Sequence, residues 1–297
     1  MVVRGRGGSE GVSKMRDEQR RMNVASTGLV GTEAGFLDAH FEACRPEYEA
    51  MVQSVGIEPG WRVLDAACGG GSYLPLISAR VGPSGSVSAF DLAPDSVSAV
   101  ERRIADGEFS CPVDARVASL LDSPYSDAEF DAVWCANSLQ YLDDEELVRA
   151  LEEFVRVLRP GGTLCAKDVD AGLWLFSPAD PTLLWRAWAA ASQVARNFRG
   201  CLRTRALRRW FENAGLIDTW QRATLSEIWA PLQPAQRAYI GGQLMQIGAL
   251  AERAGVPESD LEFWRSQQDP DAPEALVNHP ELFWCEGHFV TVGRRSS

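Results

Sequence analysis

The chain has 297 residues, of which 45% are hydrophobic and 24% are charged, as is usual for a soluble globular protein. Its formal net charge of −12 argues against nucleic acid as a partner, because nucleic-acid binders usually carry a basic surface. No apolar run approaches the roughly 18 residues that a membrane span needs, so we expect no stable membrane insertion.

The seven cysteines predict free thiols rather than crosslinks or a metal site. Their number is odd and no two have the CxxC spacing, so neither a disulfide framework nor a zinc site is indicated. Cys68, Cys135, Cys165 and Cys285 fall in or beside predicted strands, where a thiol behaves as a small hydrophobic group. This pattern is typical of a reducing compartment and predicts a cytoplasmic protein.

The N-terminal part of the chain divides into two segments. Residues 1–25 are polar and lack the apolar stretch of a secretion signal, so we expect a disordered tail there. Residues 26–60 are predicted to form an N-terminal helical lid segment that precedes the main domain.

Residues 61–170 alternate short apolar runs with helical patterns, which is typical of a mainly parallel α/β sheet. The predicted strands are WRVLDAA, GSVSAFDL, CPVDARVAS, FDAVWCAN and TLCAKDVD. The predicted helices are SYLPLISARV, PDSVSAVERRIADG and DDEELVRALEEFVRVLRPGG. The last helix stops sharply, because Pro160 cannot continue it and two glycines follow.

The remaining residues combine this core with two insertions. Residues 203–228 are predicted to continue the core with a helix and a strand, and residues 284–297 to form its final strand. Residues 171–202 and 229–283 are aromatic and helix-like. We expect a helical insertion and a helical cap there, over one edge of the sheet.

The stretch VLDAACGGGSY, residues 63–73, places three consecutive glycines after the first predicted strand. A dinucleotide-binding turn needs one more glycine where Leu74 stands, and a P-loop needs a lysine after Gly71, where Ser72 stands. Asp65 is a poor neighbour for a pyrophosphate and a good one for a cation. S-adenosylmethionine carries a sulfonium and an ammonium group without phosphate, so it suits this turn better.

This stretch resembles the first motif of the class I S-adenosylmethionine-dependent methyltransferases, in which an acid is followed by Gly-x-Gly-x-Gly. Gly69 and Gly71 match two of the glycines, and Ala67 stands where the family has the first. The resemblance covers residues 55–170 and, loosely, the last two strands. It implies a Rossmann-like, seven-stranded, mainly parallel α/β sheet with an antiparallel final strand, helices on both faces and helical cap insertions.

The resemblance also implies S-adenosylmethionine as the cofactor. Asp91 matches the acid that accepts both ribose hydroxyls, and Leu92 would pack on the adenine. Ser119 stands where an aspartate often receives the adenine amino group, and Leu120 could still offer its backbone N–H. Asn137 matches the region along the methionyl part. The residues expected to bind the cofactor are Asp65, Ala67, Gly69, Gly71, Asp91, Leu92, Ser119, Leu120 and Asn137.

The methyl acceptor is expected to be a small molecule. Nucleic-acid methyltransferases carry an Asn/Asp-Pro-Pro-Tyr motif after the fourth strand, where this chain has ANSLQY. Eight tryptophans follow residue 170, namely Trp174, Trp185, Trp188, Trp210, Trp220, Trp229, Trp264 and Trp284. They either build the core of the insertions or line a pocket for a bulky aromatic, isoprenoid or polyketide-like acceptor. Our hypothesis is that they line such a pocket.

Catalytic residues are hard to identify, because in-line methyl transfer needs a base only when the acceptor arrives protonated. His40 lies in a segment that in relatives often folds over the substrate mouth, and it is one candidate general base. Asp168, at the end of the fifth strand, is the other. His279 is expected to be solvated and His288 to be structural.

The leading hypothesis is methyl transfer to carbon, oxygen or nitrogen of a small, bulky apolar or aromatic metabolite in specialised metabolism. Three alternatives stay open: methylation of a quinone or lipid-like metabolite, binding of S-adenosylmethionine without methyl transfer, and, more distantly, an NAD-dependent oxidoreductase. The acceptor is the expected partner, and the sequence is compatible with a homo-oligomer.

Overall fold

The computed structural model describes residues 34–194 and 198–297 of the chain. The tail expected at residues 1–25, and the first part of the segment expected at residues 26–60, lie outside these described residues.

The described residues contain seven strands that form one mixed sheet. They are β1 (Arg62–Ala66), β2 (Ser86–Asp91), β3 (Val113–Val117), β4 (Phe130–Ala136), β5 (Leu158–Ser177), β6 (Leu216–Trp229) and β7 (Phe283–Arg295). The order across the sheet is β3-β2-β1-β4-β5-β7-β6. Strands β1 to β5 run parallel, whereas β7 runs antiparallel to β5 and β6. The expected mainly parallel sheet with an antiparallel final strand is confirmed.

Helices cover both faces of the sheet. They are α1 (Ala34–Ala43), α2 (Arg45–Ser54), α3 (Leu74–Val81), α4 (Pro94–Ala105), α5 (Asp144–Val157), α6 (Leu183–Val194), α7 (Phe198–Arg203), α8 (Leu207–Asn213), α9 (Pro234–Ala254) and α10 (Glu258–Ser266). Neighbouring strand residues such as Val63 and Leu64 belong to separate hydrophobic clusters, because successive side chains point to opposite faces. Helices α1, α6 and α9 pack in one cluster, and α5 and α8 in the other.

Local sequence signals explain where α5 begins. The Asp143 side chain accepts the Glu146 N–H at 2.8 Å, and the Glu146 side chain accepts the Asp143 N–H at 2.9 Å. This reciprocal pair satisfies backbone donors that the first turn leaves free. The helix ends at Val157, shortly before Pro160.

The structure differs from the sequence-based expectation at the start of the insertion predicted for residues 171–202. Strand β5 continues through this region to Ser177, and no helix begins there. Trp174 and Phe176 are buried, whereas Leu175 between them is 44% exposed. That alternation has the two-residue period of a strand, and it outweighs the aromatic, helix-like composition.

Helices α9 and α10 occupy the chain between β6 and β7, and α9 contacts both α1 and α6. We call α1, α6 and α9 the helical layer. Among the helices of the described residues, none has the length and apolar character needed to cross a membrane.

Candidate active site

A cavity of about 560 Å³ lies between the carboxyl ends of the parallel strands and the helical layer. Its volume is in the range of small-ligand sites, and open α/β sheets bind ligands at this end of their strands. The wall on the strand side, called the polar wall below, includes Asp65, Ala67, Cys68, Gly69, Gly70, Asp91 and Asn137. A second part of the lining, called the aromatic wall, includes Phe36, Trp174, Trp188, Phe198 and Tyr239.

The polar wall contains the turn after β1, whose backbone is left-handed at three positions. Ala67, Gly69 and Gly71 have φ angles of 58°, 53° and 81°. Alanine adopts this conformation at a cost of roughly 1–2 kcal/mol, so the turn keeps its shape where the motif's first glycine is missing. A Cβ on Gly69 would lie 3.2 Å from Leu37 Cδ1, so a side chain at this edge of the cavity would require Leu37 to shift by a few tenths of an ångström.

Two buried carboxyl groups, those of Asp65 and Asp91, lie next to this turn. Asp65 is 2% exposed, and its Oδ2 atom has no hydrogen-bond partner. Burial, and then the nearby Asp91, raises the pKa of Asp65 to about 8. The Asp91 carboxylate instead accepts the Gly69 N–H at 3.0 Å and the Ala93 N–H at 2.9 Å. Two acids with one free oxygen favour a cationic ligand over an anionic one.

Arg103 of α4 fixes the outer side of the same turn, and the sequence analysis did not identify it. Its Nη1 atom donates to the carbonyl oxygens of Gly70 at 3.1 Å and Gly71 at 2.8 Å. The guanidinium does not line the cavity, so it supports the turn from behind. No spacing in the sequence distinguishes it from the neighbouring Arg102.

The structure brings only part of the predicted site together. The predicted residues that line the cavity are His40, Asp65, Ala67, Gly69, Asp91 and Asn137. Those that do not line it are Gly71, Leu92, Ser119, Leu120 and Asp168. Leu92 is 47% exposed, and the Ser119 Oγ atom accepts the Leu121 N–H at 3.1 Å. Which of these residues contact the cofactor stays a prediction.

Asp168 and its neighbour Lys167 are both fully buried in β5 and point to opposite faces of the sheet. The Lys167 Nζ atom donates to Asn137 Oδ1 at 2.7 Å and lies 4.0 Å from the centre of the Tyr48 ring. Burial raises the pKa of Asp168 to about 7, against the opposing pull of Lys167. Asp168 does not line the cavity, and its role as a general base stays a prediction.

The aromatic wall is built from rings that contact one another. Trp174 and Trp188 meet edge to face with ring centres 5.7 Å apart, and Phe198 lies 4.7 Å from Trp188. By contrast, Trp185 and Trp229 are 56% and 61% exposed. The structure therefore places two of the eight late tryptophans in the cavity wall.

A buried polar group, called the Glu286 cluster below, adjoins the cavity at His40, Tyr48 and Tyr239. Its members are His40, Cys44, Tyr48, Tyr239, Glu286 and His288. The His40 Nε2 atom lies 2.9 Å from Glu286 Oε1 and 2.7 Å from the Tyr48 hydroxyl oxygen. Tyr239 donates to the other oxygen of Glu286, and its ring stacks on His40 with centres 4.2 Å apart.

Cys44 and His288 complete this cluster. The Cys44 thiol donates to Glu286 Oε1 at 3.2 Å, and His288 Nε2 lies 3.0 Å from the same oxygen. Burial lowers the pKa of His40, and that of His288 to about 3, against the opposing pull of Glu286. Burial also raises the pKa of Cys44. The sequence signals this cluster only through two short spacings, four residues between His40 and Cys44 and two residues between Glu286 and His288, and neither predicts the cluster alone.

Comparison with known proteins places these features in a family. The family described as "Methyltransferase domain" matches residues 63–162. Demethylmenaquinone methyltransferase of Desulfitobacterium hafniense is 23% identical over 151 residues, which cover 48% of this chain and 59% of that protein. Methyltransferase GfsG of Streptomyces halstedii is 26% identical over 133 residues, which cover 45% of this chain and 46% of that protein.

A solved structure, phosphoethanolamine N-methyltransferase 2 of Haemonchus contortus, matches with a TM-score of 0.52 and 13% identity. The match covers 85% of this chain and 53% of that chain, and at this identity it shows the fold alone. The present chain spans about half the length of the curated relatives that it matches. The family match begins at β1 and includes the glycine turn, and these residues lie in the seven-stranded sheet. Residues 63–162 therefore match a methyltransferase domain, and the seven-stranded sheet agrees with the resemblance to the class I S-adenosylmethionine-dependent methyltransferases.

Proposed function

We propose that this protein transfers a methyl group from S-adenosylmethionine to a small, bulky apolar or aromatic molecule. The observation that carries the proposal is that the polar wall and the aromatic wall face the same cavity. A cationic donor against the first wall and an apolar acceptor against the second would lie side by side, as transfer between them requires.

The residues of the polar wall fit the donor. The free Oδ2 atom of Asp65 is available to its ammonium group, and Asp91 is available to the ribose hydroxyls. The left-handed turn at Ala67 and Gly69 offers backbone without protruding side chains. When bound there, S-adenosylmethionine supplies an electrophilic methyl group on a positively charged sulfur. The aromatic wall would hold the acceptor against this methyl group and exclude water.

The two candidate general bases differ in their access to an acceptor. His40 lines the cavity, whereas Asp168 does not. The Nε2 atom of His40 is already engaged by Glu286 and Tyr48, so we assign no proton transfer to it. The proposed reaction therefore relies on alignment, with an acceptor that loses its proton readily or carries none at the reacting atom.

A quinone or lipid-like acceptor is the second candidate. It is favoured by the similarity to demethylmenaquinone methyltransferase over 48% of this chain, and by the apolar character of the rings in the aromatic wall. Binding of S-adenosylmethionine without transfer is the remaining alternative, since the polar wall alone would support it.

The test is incubation of the protein with methyl-labelled S-adenosylmethionine and a cell extract, followed by separation into small-molecule, protein and nucleic-acid fractions. We expect label in an organic-extractable small molecule, and none with heat-inactivated protein. Label in protein or nucleic acid would overturn the proposal. Tight binding of the donor by calorimetry without any labelled product would support the non-methylating alternative instead.

A further inference from the structure

We propose that His40, Cys44, Glu286 and His288 form a closed binding site for a zinc-like transition-metal ion. One ligand atom from each residue lies within 4.8 Å of all the others, and all four residues are buried or nearly so. This proposal does not depend on methyl transfer, because the site is judged by metal content alone.

The four side chains converge because of two short spacings. His40 and Cys44 are one helical turn apart, and the Cys44 N–H still donates to the His40 carbonyl at 3.2 Å, so both side chains lie on one helix face. Glu286 and His288 are two residues apart in β7, so both lie on one face of the strand. The pair His40 and Cys44 therefore lies close to the pair Glu286 and His288, with one ligand atom of each residue within 4.8 Å of the others.

The buried imidazole of His288 is the second observation that points to an ion. His288 is fully buried, and neither of its ring nitrogens makes a hydrogen bond. Its Nε2 atom lies only 3.0 Å from Glu286 Oε1, but not in the geometry of a hydrogen bond. Leaving a buried polar group without a hydrogen bond costs about 1–3 kcal/mol, and a metal ion between the two close acceptor atoms would satisfy both.

The set of donor atoms suits zinc. One thiolate, two imidazoles and one carboxylate give four ligands of the types that tetrahedral zinc takes, and their two negative charges balance a divalent cation. Of the four residues, only His40 lines the cavity, so the ion would have protein ligands on all sides, as structural sites do. Tyr239, which donates to the second oxygen of Glu286, would orient that ligand from outside.

The nearby cationic side chain is held by other partners. Lys167 is the nearby cation, but its Nζ atom is held by Asn137 at 2.7 Å and lies over the Tyr48 ring. The Tyr48 hydroxyl borders the site at 2.7 Å from His40 Nε2. With a metal ion on Nε2, His40 carries its proton on Nδ1 and serves as a ligand rather than as a base.

The consequence is a link between distant parts of the chain. Helix α1 and the following Cys44 would be tied to β7 beside the cavity, so the ion would hold the N-terminal helices against the sheet. Chelation should then lower the thermal stability of the whole protein, because metal binding to a site formed only on folding adds to folding free energy.

The experiment uses the full chain, purified without added metal, and measures bound metals by mass spectrometry after dialysis. Chelated protein is then titrated with Zn²⁺ or with Co²⁺, whose thiolate complexes show a sulfur-to-cobalt charge-transfer band. We expect about one equivalent of metal per chain and this cobalt band. Folded wild-type protein that binds neither ion would overturn the proposal and leave a hydrogen-bonded cluster without a metal.

Variants test the ligands one at a time. Cys44→Ser and His288→Asn should reduce bound metal at least tenfold, whereas Cys44→Asp, which supplies another ligand oxygen, should retain metal and lose the cobalt band. Cys285→Ser and His279→Gln are matched controls outside the site, and both should keep the metal. If Cys44→Ser and His288→Asn bind metal as wild type does, the assignment of ligands is wrong.

Discussion

Replacing Asp65 by asparagine should stabilise the free protein. The buried carboxyl group has a pKa of about 8 against an ordinary value of 3.8, so the folded state binds its proton more tightly than the unfolded state does. Stability is therefore lost as the pH rises from 3.8 towards 8, by about 1.4 kcal/mol for each pH unit. At pH 7 the accumulated cost is at most roughly 4 kcal/mol, and Asp65→Asn removes it because asparagine does not ionise.

The same substitution should weaken binding of S-adenosylmethionine. To meet the ammonium group, the wild-type carboxyl must release its proton, so we expect affinity to rise about tenfold between pH 6 and pH 7. Asp65→Asn loses this charge-assisted contact, which is worth about 1.5–3 kcal/mol, or roughly 10- to 100-fold in Kd. Methylthioadenosine, which lacks the amino-acid part of the donor, should bind both proteins equally.

Urea unfolding from pH 5 to pH 8 measures the first effect, and calorimetry in two buffers of different ionisation enthalpy measures the second and counts released protons. The stability gain of the variant should grow with pH, and its donor binding should release no proton at pH 7. An Asp65→Asn protein less stable than wild type at pH 7 would refute the argument from burial. Unchanged donor affinity would refute the position assigned to the ammonium group.

Two further predictions concern the walls of the cavity. Ala67→Gly should raise the free energy of unfolding by about 0.5–1 kcal/mol by relieving left-handed strain, and Gly69→Ala should lower it by at least as much, since its Cβ also approaches Leu37. Urea denaturation measures both, and shifts in the same direction would contradict the strain argument. Trp174→Leu should raise the KM of an aromatic acceptor about tenfold without changing the donor Kd, whereas the exposed Trp185→Leu should change neither. Equal effects of these two changes in steady-state kinetics would rule out the aromatic wall as the acceptor site.

The sheet and the polar wall could be predicted because their signals are local. Asp65 and Gly69 belong to one short motif, and Asp91 and Asn137 each follow a single apolar run. Parallel strands bring their carboxyl ends to one edge, so the topology alone gathers these residues. Leu120 does not line the cavity, and its predicted backbone contact with the adenine stays a prediction, because the path of the loop after β3 depends on contacts that no spacing encodes.

The Glu286 cluster could not be assembled from the sequence, because Glu286 and His40 are separated by 246 positions. They meet only when the antiparallel β7 has entered the sheet and α1 has packed on α9. The pair His40 and Cys44 and the pair Glu286 and His288 each have a spacing that places both side chains on one face. Neither pair alone supplies enough ligands to predict a metal site. The extension of β5 at Trp174 was missed in a similar way, since its partner residues lie in β7.

The position of β7 also dictates an order of events during folding. It follows β5 and β6 in the sequence yet lies between them, so within the described sheet β6 has no strand partner until β7 arrives. Pairing of Thr163 with Arg294 closes a long loop, which is slow compared with the local pairing of β1, β2 and β4. The half of the molecule that receives the donor can therefore form first. S-adenosylmethionine could act as an early ligand for a chain whose acceptor side is still open, and selectivity for the acceptor would be the last property that the folding protein acquires.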